Sequence, residues 1–351
     1  LNNTKLFLER LFIKFIHVIV DNINFNNKFM EEPVVKVEHL SHRYSIQWAV
    51  RDISFEIPRG GIYGLLGSNG ANQTGVLGLL GSNGAGKSTT MNIISGVIKQ
   101  TEGQVFINGI DARKRPVDAK RHIGFLPQKP PLYGDLTVEE YLIHCARLRW
   151  VADKDLLPAV DEVLAKCGIT HFRKRLIKNL SGGYQQRVGI AQAIVHKPDL
   201  VIFDEPTNGL DPNQIMEIRH LIHDIAKDRT VILSTHILTE VQAVCDHILM
   251  IEEGKLVFMG TVDEFDNYII PNSLYVSMID PPVADELAKI EGVLGVEELG
   301  NRNFRIRFTE AQEVIDQIVK LSAANNWRLS EVRVEKSSLD NIFAELSKKA
   351  H

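Results

Sequence analysis

The sequence predicts an α/β protein with a mostly parallel core sheet, an antiparallel β subdomain and a helical subdomain, followed by a small α+β domain. Three observations predict it. Short apolar strands, LVIFDEP at 200–206 and VILSTH at 231–236, alternate with helical stretches, which implies a parallel sheet covered on both faces. Between a strand-like run and a helix-like run lies G-x-x-x-x-G-K-S, ending at Ser88, the pattern that wraps backbone N–H groups around a nucleotide's phosphates. Past about Gly260 the rhythm changes to β-α-β-β-α-β, as in ferredoxin-like small domains.

The elements follow in order. VVKVEHLSHRY (34–44) and ISFEIPRG (53–60) read as strands by alternation. QVFINGIDA (104–112) carries an Asn108-Gly109 hairpin turn. Thr137 and Glu140 form a capping box that opens the helix TVEEYLIHCARLRW (137–150). PAVDEVLAKC (158–167) is a second helix, closed by Gly168. NLSGGYQQRVGIAQAIVHKPDL (179–200) is a loop that feeds a helix. Beyond the core, SLYVSMI, NFRIRFT and LSEVRVEK read as strands, AQEVIDQIVKLSAANN as a helix, and SSLDNIFAELSK as a closing helix. The divisions expected are an N-terminal extension of doubtful status at 1–30, a nucleotide-binding domain at 31–261 with its helical subdomain at about 129–180, and an accessory domain at 262–351.

Composition narrows the class. The 351 residues have room for about two domains. A net charge of −4 and a pI near 6.3 provide no basic field for nucleic acid. Three scattered cysteines argue against a disulfide frame or a zinc site. No clean apolar run reaches membrane-spanning length. The stretch LFLERLFIKFIHVIV (6–20) is short and interrupted by Glu9, Arg10 and Lys14. Residues 1–29 read either as an amphipathic surface segment or as upstream sequence from a misplaced start, and no function is drawn from them.

The phosphate-binding pattern gathers Gly81, Ser82, Asn83, Gly84, Ala85, Gly86, Lys87, Ser88 and the adjoining Thr89. Lys87 reaches the β- and γ-phosphates, the Ser88 hydroxyl suits Mg²⁺, and the helix that follows turns its positive end to the anion. The loop is written twice. GLLGSNGA occupies 64–71 and again 78–85, and only the second copy continues into GKST. Because only 76–80 runs directly into that loop, 76–80 is expected to be the core strand, with the first copy bulging out ahead of it. Two other readings stay open: the first copy takes the strand slot and ATP affinity falls, or the repeat is a cloning artefact.

Around this loop a constellation recurs in a fixed order: Pro127-Gln128, LSGGYQQR (180–187), LVIFDEP, GLDP (209–212) and Thr235-His236. Over about 34–260 the chain resembles the nucleotide-binding subunit of an ATP-binding cassette (ABC) transporter, and LSGG-x-Q separates that family from other phosphate-loop proteins. Tyr184 stands where glutamine is commoner. The tail SSLDNIFAEL resembles the drug-, ion- and gliding-related export branch.

The resemblance implies ATP and Mg²⁺ as ligands. Asp204, with Ser88 and Gln128, would hold the cation, and Glu205 would polarise the attacking water. Gln128 and His236 complete the catalytic set, His236 facing the γ-phosphate. Tyr44 would stack on adenine, unless it is an ordinary exposed or core tyrosine. Ser181, Gly182, Gly183 and Gln185 would cover the ATP of a second subunit, head to tail, with Asp211 at the seam. The protein would be an ATPase that powers a separate membrane permease, an exporter, from the cytoplasmic face, with a second ABC subunit (a homodimer) and no nucleic acid as partner. The alternatives are a non-transport soluble ABC ATPase and a nucleotide-binding module whose turnover the duplicated loop impairs.

Overall fold

The computed structural model describes residues 32–67, 86–235, 237–268 and 273–335. The expectations for 1–31, Gly81, Ser82, Asn83, Gly84, Ala85, His236 and the tail SSLDNIFAELSK lie outside the described residues. The chain divides after Met259 into two compact units.

The first unit opens with β1 (Val35–Tyr44), β2 (Gln47–Ile57), β3 (Ile62–Leu66) and α1 (Lys87–Ile94). It continues through β4 (Glu102–Ile107), β5 (Ile110–Asp111), α2 (Pro116–Arg121), β6 (Ile123–Leu126), α3 (Val138–Leu148), α4 (Leu156–Lys166) and α5 (Gly182–Ile194). After β7 (Leu200–Asp204) come α6 (Pro212–Ala226), β8 (Thr230–Ser234), α7 (Leu238–Val244), β9 (His247–Glu252) and β10 (Lys255–Thr261).

Two sheets result. One has the order β2-β1-β4-β5, with each pair antiparallel. Its hairpin between β4 and β5 turns at Asn108 and Gly109, both at positive φ, as a tight two-residue turn requires. The other has the order β10-β9-β3-β8-β7-β6, with β9, β3, β8, β7 and β6 running parallel. Strands β3 and β8 are buried throughout, the continuous apolar pattern of a parallel sheet covered on both faces. The helical insert is set by local signals. Thr137 and Glu140 cap α3 reciprocally, and Gly168 ends α4 at φ 67°.

The occupant of the β3 slot corrects the sequence expectation. Ile62–Leu66, from the first copy, lies between β8 and β9, while 76–80 is outside the described residues. The reason lies in what surrounds each copy. Residues 58–61 carry the chain from β2 straight into the slot, with the Gly60 N–H donating to Thr230 Oγ1 (2.8 Å) and the Ile62 N–H to Asp246 Oδ2 (2.8 Å). The copies differ only at Ile62/Val76 and Tyr63/Leu77, and both differences favour the first. Tyr63 is buried and stacks on His247, with ring centroids 4.8 Å apart and planes 11° apart, a contact worth about 0.5–1.5 kcal/mol that leucine cannot make. Ile62 buries one methylene more than valine would, worth about 0.8 kcal/mol. Gly64 is required in the slot, since a Cβ there would stand 2.7 Å from Val241 and 2.9 Å from the Cys245 sulfur.

The second unit holds α8 (Val262–Asp266), β11 (Ser273–Met278), α9 (Ala284–Leu287), β12 (Val293–Gly300), β13 (Asn303–Phe308), α10 (Ala311–Asn325) and β14 (Leu329–Glu335). From β11 the order is β-α-β-β-α-β, and the sheet runs β12-β13-β11-β14, all antiparallel. On β11, Leu274, Val276 and Met278 are buried in a core with Ile306, Val314 and Ile318, while Ser273, Tyr275 and Ser277 alternate to the other face. There Arg305 pairs with Glu297 and Glu335, and Arg333 lies over the Tyr275 ring.

Candidate nucleotide site

The parallel strands end side by side, so their C-terminal edges place Gly67 after β3, Thr235 after β8, Asp204-Glu205 at the end of β7 and Gln128 beyond β6 in one row. That edge is where α/β sheets bind ligands. Lys87, the first residue of α1, is 4 % exposed and its Nζ donates to the Gly67 carbonyl. Burial pulls the Lys87 ammonium below its ordinary value, while the carboxylates of Glu205, Glu252 and Asp204 act in the opposite direction. Gly86 precedes it at φ 103°, where a Cβ would stand 2.7 Å from the Ala49 carbonyl oxygen, so only glycine brings α1 this close. Thr89 is buried, Ser88 is exposed, and the Thr90 hydroxyl donates to the Gly86 carbonyl at 2.9 Å.

Asp204 closes β7. Burial raises its carboxyl above the usual range, the Ser234 hydroxyl donates to it and opposes that shift, Glu205 adds to it, and Lys87 opposes it. Glu205 is buried and adopts φ +51°, an uncommon conformation for a side chain with a Cβ. Its N–H donates to the Ser234 carbonyl at 2.9 Å, and its carbonyl accepts from the Asn208 N–H at 3.2 Å. Lys87, Asp204 and Glu205 are thus brought into one electrostatic group. Gln128 is exposed at the row's end. Tyr44 ends β1, 46 % exposed, edge-on to His42 at 4.7 Å.

Ser181, Gly182 and Gly183 open α5. Ser181 sits at the N-cap with extended geometry, yet its hydroxyl makes no capping bond. Nothing lies within 4 Å of a Cβ on Gly182, whereas on Gly183 it would meet the Gln214 side chain at 2.6 Å. Among the described residues no hydrogen bond or ion pair joins Ser181, Gly182 or Gly183 to Lys87 or Asp204. Gln185 turns its amide back to the Leu180 and Ile177 carbonyls. Tyr184 packs edge-on against Phe172, 4.4 Å between centroids, which accounts for an aromatic at that position. Asp211 caps α6, accepting from the Asn213 and Gln214 N–H groups at 3.0 Å, a role that the Asp-Pro start signals and the sequence reading passed over. Ser234, Glu240 and Glu252 were also missed. They are polar residues beside apolar runs, and only the fold brings Ser234 to Asp204, Glu252 near Lys87, and Glu240 to Thr207 and Thr235.

Magnesium suits this donor set: a hydroxyl, a carboxylate and an amide oxygen are hard ligands, too few for an all-protein cage. Among the described residues no group of His, Cys, Asp and Glu side chains forms a separate metal cluster, and no helix is long and apolar enough to cross a membrane.

Known proteins agree with this geometry. The family model described as "ABC transporter" matches residues 71–208, and one described as "AAA domain, putative AbiEii toxin, Type IV TA system" matches 177–241. The bacitracin transport ATP-binding protein BcrA of Bacillus licheniformis is 40% identical over 225 residues, 64% of this chain and 68% of that one. An uncharacterized ABC transporter ATP-binding protein of Bacillus subtilis (strain 168), YhcH, is 31% identical over 316 residues, 90% of this chain and 96% of that one. A solved structure of the ATP-binding subunit of an ABC transporter superposes with a TM-score of 0.58 at 29% identity, covering 67% of this chain and 92% of its own. The convergence of phosphate-loop lysine, strand-end carboxylates and glycine-opened helix, together with these relatives, establishes that the chain belongs to the ABC transporter ATP-binding proteins and is an ATPase of that family.

Proposed function

We propose that the protein is the ATP-hydrolysing subunit of an exporter, working as a head-to-tail homodimer beneath a separate permease on the cytoplasmic face of the membrane. The observation that carries it is the joining of Lys87, Asp204 and Glu205 at one sheet edge, with the Ser181 hydroxyl uncommitted elsewhere in the same unit. Gly86, Lys87, Ser88 and Thr89, with Gly81, Ser82, Asn83, Gly84 and Ala85 ahead of them, cradle the triphosphate, and Tyr44 stacks on the adenine. Ser88, Asp204 and Gln128 hold Mg²⁺, which when bound neutralises charge on the β- and γ-phosphates. Glu205 accepts the proton of the attacking water, and His236, which follows Thr235 at the end of β8, faces the γ-phosphate. Burial lowers the proton affinity of the Lys87 amine, and a phosphate beside it would raise that affinity again.

The second surface, Ser181 to Gly183, meets the partner's ATP. Closure is therefore favoured only while the γ-phosphate is present, and hydrolysis reopens the pair. The helical insert, 129–180, faces the permease, and the unit after Met259 is an accessory domain. The relative from Bacillus licheniformis, a bacitracin transport ATP-binding protein, supports transport, and the resemblance of the SSLDNIFAEL tail supports export.

A second reading, a nucleotide-binding module with impaired turnover, draws on one observation: the first copy fills the β3 slot while the lysine belongs to the second. Glu205→Gln separates the two readings. With ATP this variant should move from monomer to dimer in light scattering while its hydrolysis rate falls about 10²–10⁴-fold. A parent chain with no ATPase activity to lose would favour the module, and a dimer equally formed without nucleotide would overturn the sandwich.

A further inference from the structure

We propose that Glu240 is a positioning residue for hydrolysis: its buried carboxylate ties the loop after Glu205 to the end of β8 and holds Glu205 in its strained conformation. The inference rests on the role given to Glu205 above. Glu240 lies in the first turn of α7 and is 3 % exposed. One oxygen, Oε2, accepts two hydroxyl hydrogen bonds, from Thr207 at 2.8 Å and from Thr235 at 3.1 Å. Its other oxygen, Oε1, stands 3.9 Å from the Arg219 guanidinium of α6, whose Nε is buried without a hydrogen-bond partner. Three segments therefore converge on a single carboxylate: the loop that begins with Glu205, the end of β8 that leads into His236, and the helix that Asp211 caps.

A carboxylate is costly to bury unless donors surround it, so this side chain is not neutral filler. It occupies a place where a geometric load must be met. Glu205 at φ +51° is strained, and a strained residue persists only where its surroundings over-determine it. Its N–H is pinned to the Ser234 carbonyl and its carbonyl to the Asn208 N–H. Gln186 holds the next residue through the Pro206 carbonyl at 2.8 Å. Thr207 is the following point of attachment, and Glu240 anchors it. On the other side, the Thr235 hydroxyl also accepts from the Ile237 N–H at 3.1 Å, so the same carboxylate braces the backbone on both sides of His236. Moving Glu240 would free both strand ends together, although the residue need touch neither ATP nor water.

The test is steady-state ATPase kinetics on the full chain, well below the melting temperature, with nucleotide affinity measured by a fluorescent ATP analogue. Glu240→Ala should lower kcat about tenfold or more while KM and analogue affinity stay within about twofold. Glu240→Gln keeps an acceptor oxygen for both hydroxyls and should retain kcat within about threefold, a rescue that a general packing role does not predict. Thr207→Val and Thr235→Val should each lower kcat several-fold, and neither should lower it much further in the Glu240→Ala background. These two variants carry the test if Glu240→Ala does not fold. Glu205→Gln is the control. If it abolishes turnover while Glu240→Ala and both threonine variants keep the parent kcat, or if Gln is as damaging as Ala, the positioning role is overturned. If Glu205→Gln itself retains turnover, the underlying reading of Glu205 has failed instead.

Discussion

Two strand ends meet at the candidate nucleotide site, and they are built differently. At the end of β7, Asp204, Glu205, Pro206 and Thr207 are each held by a side chain or backbone group from elsewhere: Ser234, Gln186 and Glu240. At the end of β3, Lys87 Nζ donates to the Gly67 carbonyl and so joins the strand's end to the helix beyond; Gly67 belongs to the first copy of the repeated segment, whereas Lys87 follows the second. The β7 end is specified by tertiary contacts at every residue. The β3 end is specified by which of two near-identical segments fits its slot better. The difference teaches that a motif can be complete in sequence and yet have its strand and its lysine supplied from separate places.

The largest effect should come from separating binding from turnover at the two ends. Lys87→Ala should abolish measurable ATP binding, whereas Glu205→Gln should bind ATP and lose about 10²–10⁴-fold in rate. Isothermal titration beside an ATPase assay checks this, and equal loss of binding in both variants would erase the distinction between the ends. Deleting residues 64–77 comes next. The strand and loop would then read IYGLLGSNGAGKSTT without interruption. Shortening the connection between the end of the strand and Gly86 should recover about 1 kcal/mol of loop-closure entropy, raising ATP affinity about fivefold and the melting temperature by about 2–4 °C. A deletion variant that bound ATP less well would show that the repeat has a task of its own.

Tyr63→Leu sharpens the comparison further, because it leaves the two copies differing only at Ile62/Val76. Loss of the stack on His247 should cost about 1 kcal/mol in urea denaturation. A neutral result would remove the tyrosine as the reason the first copy wins. The smallest effect concerns acid. His196 follows α5 and bonds the Ile123 carbonyl; burial pulls its imidazole down to about 4, with Arg149 adding to the shift. Between about pH 4 and its ordinary value of 6.5 the unfolded chain binds the extra proton, so this contribution to stability is present above pH 6.5 and is lost as pH falls toward 4. Melting temperatures across that window should fall less steeply in His196→Gln than in the parent chain.

Much of this protein was legible from its residues because the signals are local. The Thr137–Glu140 box, the Asn108-Gly109 turn and the apolar runs of β7 and β8 each fix a short-range geometry whatever surrounds them. The ABC constellation is of this kind, and it pointed to the family, to the ATPase activity and to Lys87, Asp204 and Glu205 before any fold was known. Other features were beyond sequence because they are comparisons between distant residues. Nothing in GIYGLL and GVLGLL ranks one above the other until His247 is seen to offer its face to Tyr63 and Asp246 its carboxylate to the Ile62 N–H. Nor does a glutamate within LTEVQAV announce that Thr207, Thr235 and Arg219 converge on it. Sequence by itself determined which chemistry the chain carries, because motif geometry is written in consecutive residues. Only the tertiary structure decided which copy forms the strand and which carboxylate braces the site, because burial and hydrogen-bond satisfaction depend on partners brought together from far along the chain.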